Sequence, residues 1–127
     1  MRRATALLLL LIPVSLCACA PKPQPPAFAP ITLDCAMPFD VQSAKITAQP
    51  HLLPASHAPG EPYFFYSTDD GRASYLITEK GAPGHPAIMM QTAAGGQVKT
   101  VGCAYGDKKG YNQLLAYLDS LKTWTRR

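Results

Sequence analysis

The sequence predicts an α+β domain: a small antiparallel β-sheet, built of two hairpins plus a candidate N-terminal strand, packed by one C-terminal helix. Three stretches carry that prediction. In "YFFYSTDDGRASYLIT" (residues 63–78), Asp-Gly separates two runs of β-favouring residues. In "AIMMQTAAGGQVKTVGCA" (residues 87–104), Gly-Gly does the same. In "YNQLLAYLDSLKTWTRR" (residues 111–127), the apolar residues change from a spacing of two to a spacing of 3.6.

The first hairpin follows from turn chemistry. Asp-Gly between alternating apolar runs is a type I′ turn signal, because both central residues of that turn need a positive φ. With Asp70-Gly71 at the turn, Tyr66 should face Tyr75, Phe64 should face Ile77, and Asp69 should pair with Arg72. Side chains alternate along a strand. Phe64, Tyr66, Tyr75 and Ile77 therefore share one face, while Tyr63, Phe65 and Leu76 share the other with Ser67, Ser74 and Thr78. A second hairpin about Gly95-Gly96 sets Met90 opposite Val101 and Ile88 opposite Cys103, which points Cys103 into the core. "KGAPGHP" (residues 80–86) links the two hairpins.

The helix follows from periodicity. Tyr111, Leu114, Leu115, Leu118 and Leu121 fall on one stripe, with Asn112, Asp119, Lys122 and Thr123 on the polar side. Asp107 is the expected N-cap, and Lys122, Arg126 and Arg127 suit the negative end of the helix dipole. The stretch from Phe39 to Ala48 reads as a strand with a bulge, since Val41 and Ile46 do not share one alternation. Residues 51–62 read as a loop by their prolines.

The N-terminus has a different character. Met1-Arg2-Arg3 precedes 13 apolar or small residues, "ATALLLLLIPVSL". A basic start and an apolar core of about 7–15 residues mark an export signal, and the run falls short of the roughly 20 residues that span a bilayer. "LCAC" (residues 16–19) resembles the lipobox of bacterial lipoproteins. Leu16 stands three before Cys19 and the small Ala18 directly before it. Cys17, between them, occupies a position where Ala or Ser is commoner. The resemblance implies removal of residues 1–18 and lipidation of Cys19, which would become the first residue of the mature chain. It also implies an outer-membrane destination, because Ala20 stands where an Asp would retain an enteric lipoprotein at the inner membrane.

Residues 19–32 form the tether, with prolines at 21, 23, 25, 26 and 30. Such composition favours an extended polyproline conformation of about 3.1 Å per residue. Residues 33–127 then form a single domain of 95 residues, a size that gains from a staple. With Cys17 removed and Cys19 acylated, two of the four cysteines are left as thiols. An even pair in an exported chain implies a disulfide, Cys35–Cys103.

Charge and motif narrow the function further. Without Arg2 and Arg3, ten basic residues face eight acidic ones. The only clusters are Lys108-Lys109 and Arg126-Arg127, too few for a nucleic-acid partner. His51, His57 and His85 lie apart in Pro-rich turns, so no metal and no cofactor is expected. Ser56 and His57 are adjacent, which is not how a Ser–His dyad is built. There is no G-x-S-x-G, no phosphate-binding glycine loop and no dinucleotide fingerprint, so no enzyme is expected. A small exported β domain with one long-range disulfide is similar in outline to the periplasmic lysozyme inhibitors. Their Ser-Gly-x-x-Tyr loop is missing, since "TAAGGQ" (residues 92–97) has neither that serine nor that tyrosine.

The expectation is a non-catalytic protein-binding or scaffolding subunit. It would be held to the periplasmic face of the outer membrane by lipid on Cys19 and would serve an envelope protein as partner. Inhibition of a secreted hydrolase and carriage of a small ligand are the alternatives. With the C-terminal helix assigned to the Phe64/Tyr66 face, the opposite face of Tyr63, Phe65 and Leu76 is the expected partner surface, aromatics ringed by small polar groups.

Overall fold

The structure, a computed structural model, describes Cys17, Cys19 and residues 29–124. The expected export signal and most of the expected tether lie outside the described residues. Cys17 and Cys19 are exposed and take no part in a disulfide.

The domain is an α+β fold of five antiparallel strands and two helices. In chain order these are α1 (Phe39–Thr47), β1 (Leu52–Pro54), β2 (Tyr63–Thr68), β3 (Ala73–Thr78), β4 (Ala87–Ala94), β5 (Gln97–Ala104) and α2 (Lys108–Trp124). The strands form a meander in the order β1-β2-β3-β4-β5. Tyr66 pairs with Tyr75 and Phe64 with Ile77 across β2 and β3. Met90 pairs with Val101 and Ile88 with Cys103 across β4 and β5.

The two turns reach their registers differently. At the β4–β5 turn, Gly95 and Gly96 both have positive φ, 58° and 75°, as a two-residue type I′ turn requires. At the β2–β3 turn, the Gly71 N–H donates to Thr68 C=O at 2.9 Å. Gly71 has φ 70°, but Asp70 is not in the left-handed region, so the turn is not type I′. The Asp70 carboxylate is what organises it, accepting from the Thr68 hydroxyl (2.7 Å) and the Arg72 N–H (3.0 Å). Asp69 does not pair with Arg72 as expected. It meets His51 at 3.0 Å, and Arg72 lies 3.6 Å from Asp70.

The expected N-terminal strand is a helix. Phe39, Gln42 and Ile46 stand at helical spacing, and α1 buries Gln42 and Ile46 against the sheet. Gln42 hides that stripe from a hydrophobicity reading, because a polar residue holds its central position. The structure satisfies it fully. Its Oε1 accepts the Asp34 N–H at 2.6 Å, and its Nε2 donates to Tyr105 Oη at 2.7 Å and contacts Cys103 Sγ at 3.6 Å. Val41, the residue that obscured the pattern, is exposed.

The sheet is thus covered on both faces. On one, Ile46 of α1 packs with Tyr75, Ile77, Ile88 and Met90, joined by Leu33, Phe39, Tyr66 and Tyr105. On the other, Leu114 and Leu118 of α2 pack on Leu76 and Met89, flanked by Tyr63, Phe65, Tyr111 and Leu115. Burying each of these leucines stabilises the fold by about 2 kcal/mol. This reverses the expected placement of the C-terminal helix. It lies over Tyr63, Phe65 and Leu76, and α1 takes the face that had been assigned to it. Leu76 is only 2% exposed, so the proposed partner surface is a second core layer.

Backbone contact determines the side that α2 takes. The Gly110 N–H donates to Asp107 Oδ2 at 2.7 Å, which caps the helix. A Cβ on Gly84 would collide with the backbone of Tyr111, and one on Gly110 with the backbone of Gly84. The β3–β4 loop and the first turn of α2 therefore meet main chain to main chain. Cys35 and Cys103 form a disulfide that ties the segment before α1 to β5.

Candidate binding groove

Between α1 and the β2–β3 hairpin lies an open groove of about 530 Å³. Phe64 of β2 and Ile77 and Thr78 of β3 line it from the sheet, Phe39 and Ser43 from α1, and Glu79, Lys80 and His85 from the β3–β4 loop. Ridge spacing on the helix puts Phe39 and Ser43, four apart, on one side. Alternation on β2 and β3 turns Phe64 and Ile77, a cross-strand pair, toward that same side.

Each aromatic wall is braced by an imidazole. His57 stacks on Phe64 with centroids 4.2 Å apart and planes at 21°. The loop that carries His57 is held by its own hydrogen bonds. His57 Nε2 meets Glu61 C=O at 2.9 Å, and the Ala58 N–H donates to the Glu61 carboxylate at 3.1 Å. Phe39 stands edge-on to His85 at 5.5 Å and to Tyr105 at 5.8 Å. His85 is oriented by Thr78, whose Oγ1 lies 2.9 Å from Nδ1. That hydroxyl also accepts the Ala87 N–H at 2.8 Å and lies 3.1 Å from Ala87 C=O.

One polar atom in the groove wall is unsatisfied. Ser43 Oγ is buried and has no hydrogen-bond partner among the described residues, a condition that costs about 1–3 kcal/mol. Ser43 and His85 line the same groove without a hydrogen bond between them, so no nucleophile–base pair is assembled. Among the described residues, no group of three or more His, Cys, Asp or Glu converges on a point that could hold a metal ion. The groove is an apolar slot with one carboxylate and one ammonium on its rim.

The residues singled out by sequence fall elsewhere. Tyr63, Phe65 and Leu76 lie on the opposite face beneath α2. There Tyr63 sits beside Tyr117, with centroids 5.9 Å apart. A hydrogen bond to Tyr117, together with desolvation, pushes the Tyr63 phenol up to about 12. Cys35 borders a second, smaller groove of about 350 Å³, lined also by Leu33, Met90, Lys99 and Val101, while Cys103 is buried in the core. The groove residues Phe39, Ser43 and His85 were missed because the sequence reading put the first two on a strand and the third in an exposed loop. The signal that would have found them is the helical spacing of Phe39, Gln42, Ser43 and Ile46.

No family model matches this sequence, and neither a curated protein nor a solved structure is detectably similar to it.

Proposed function

We propose that this chain is a lipid-anchored envelope protein whose domain binds an extended segment of a partner protein in the groove between α1 and the β2–β3 hairpin. The groove carries the reading. Two phenylalanine rings, each backed by an imidazole, form an apolar slot with few polar groups. Aromatic-lined grooves of this kind take extended, proline-containing segments.

The anchoring half of the proposal rests on the lipobox resemblance at residues 16–19. It is supported by the disulfide, a bond that persists in oxidising compartments such as the periplasm. Lipid on Cys19 would hold the domain at the periplasmic face of the outer membrane. Among the described residues, no helix is long and apolar enough to cross a membrane.

The groove volume also lies within the roughly 300–1,000 Å³ range of small-molecule sites, so a small apolar ligand is the second reading. Photo-crosslinking separates the two. A photoreactive residue at Lys80, on the exposed rim, should give one dominant protein adduct in native membranes. The adduct should be lost in a Phe39→Ala background and absent from the same probe at Lys109, at the start of α2. Equal adducts from both positions would refute the groove as the partner site. For the anchor, Cys19→Ser should end fatty-acid labelling and Cys17→Ser should not. The opposite pattern would transfer the lipid to Cys17.

A further inference from the structure

We infer that the outer edge of β5 is a second docking site, separate from the groove beside α1. It takes an extended strand of a partner protein that carries an acidic residue opposite Lys99.

The two outer strands of the sheet are β1 and β5, and they differ in kind. β1 has three residues and ends in Pro54, a blunted edge. β5 has eight residues and no proline. Its hydrogen-bonding directions follow from the turn. Ala94 and Gln97 flank Gly95-Gly96 as the closing, hydrogen-bonded pair, and bonded and non-bonded pairs alternate from there. Gln97, Lys99 and Val101 therefore direct their main-chain groups at β4, a parity that Tyr105 N–H continues onto Pro86 C=O at 3.1 Å. Val98, Thr100 and Gly102 direct theirs outward. Cys35 Sγ lies 3.6 Å from Gly102 C=O, so the disulfide closes that end of the edge. At Val98 and Thr100, no backbone hydrogen bond among the described residues uses the outward N–H or C=O. Such groups are a template for one more strand.

Side chains select the occupant. Residues of an added strand opposite Lys99 and Val101 occupy non-hydrogen-bonded pairs, where side chains approach most closely. They project on the face of the smaller groove, whose apolar lining includes Leu33, Met90 and Val101. Lys99 is exposed and has no ion pair among the described residues. A second copy is disfavoured: the two-fold register that pairs Val98 with Thr100 in both directions sets the two Lys99 side chains directly opposite each other, which is repulsive. A carboxylate at that position is complementary instead. On the other face Val98 is 41% exposed and calls for apolar cover. An antiparallel occupant therefore reads, from its N-terminus, apolar, polar, acidic, apolar opposite Val101, Thr100, Lys99 and Val98.

The test uses the whole chain from Cys19 to Arg127, isotopically labelled and held in detergent micelles, with the blocked peptide Ser-Leu-Thr-Glu-Val-Ser as probe. The Val98 and Thr100 amide protons should move downfield and gain protection from exchange. Lys in place of the peptide's Glu should weaken binding about tenfold, and Lys99→Glu in the protein should reverse that preference. N-methylation of the peptide's Thr, whose N–H would meet Thr100 C=O, should abolish binding. N-methylation of its Glu, whose N–H points away, should not. No response of the two amides at millimolar peptide, or equal affinity for all four peptides, would overturn the edge site. So would amides of Val98 and Thr100 already protected in the free protein, whether within one chain or through concentration-dependent pairing of two. Each of these results leaves the groove between α1 and the β2–β3 hairpin untouched.

Discussion

Opening the Cys35–Cys103 bridge should destabilise the domain more than any single change to its surface. The bridge spans a sequence separation of 68, closing a loop of 69 residues with both ends counted. Chain-entropy reasoning assigns such a loop about 15 cal/mol/K, or about 4.4 kcal/mol at 298 K. The effect acts on the unfolded chain. Native bonds that hold the same segment, such as Tyr105 Oη to Met37 C=O at 2.7 Å, do not substitute for it. For a domain of this length, each kcal/mol moves the midpoint by about 4–8 °C, so reduction should lower it by roughly 20–30 °C. A small domain has only about 5–10 kcal/mol in total, and the reduced protein would be marginal at 37 °C. The assay is calorimetric melting with and without a phosphine reductant, repeated on the Cys35→Ala/Cys103→Ala variant. The variant also loses the Gln42 contact to Cys103 Sγ, while Gln42 keeps Asp34 and Tyr105. It should therefore melt within a few degrees of the reduced wild type. A fall of less than 4 °C in both would refute the loop-closure reasoning, and two titratable thiols at residues 35 and 103 of the oxidised protein would reject the bridge itself.

Two further outcomes follow from the packing of α2. Phe65→Ser with Leu76→Ser should abolish cooperative melting, since Leu76 is buried beneath Leu114 and Leu118 and such truncations cost several kcal/mol; a folded double variant would show that α2 does not cover this face. Tyr63 should ionise near pH 12 in an ultraviolet titration and return toward 10 in Tyr117→Phe. The sign is that of a raised acid. The contribution of the neutral phenol is complete below the ordinary tyrosine value of about 10 and is lost as pH rises through about 12. An unchanged titration in Tyr117→Phe would remove the hydrogen bond as the cause.

Much of the sheet was legible because its causes are local. Glycine pairs and alternation set which residue faces which, as with Met90 and Val101 about Gly95-Gly96. The β2–β3 register came out the same from a different turn, because Asp70 draws Thr68 and Arg72 onto its carboxylate without itself taking a positive φ. Asp107, placed before a run of helical period, marked the start of α2. β1 was not legible, since three residues ending in Pro54 carry no alternation of their own and pair only because β2 is already in place.

By itself the sequence determined the strands of the two hairpins, the C-terminal helix and the pairing of the last two cysteines. Each depends on neighbours in the chain or on a count. Tertiary structure alone decided the identity of α1 and the side that α2 covers. Gln42 is acceptable in a core only when Asp34 and Tyr105 arrive to meet its amide, and Tyr105 comes from 63 residues away. Both faces of the β2–β3 hairpin are aromatic, so hydrophobicity could not choose between them. The choice fell to Gly84 and Gly110, where two main chains meet at a distance that no side chain permits, carrying α2 to one face and leaving the other to α1 and its groove.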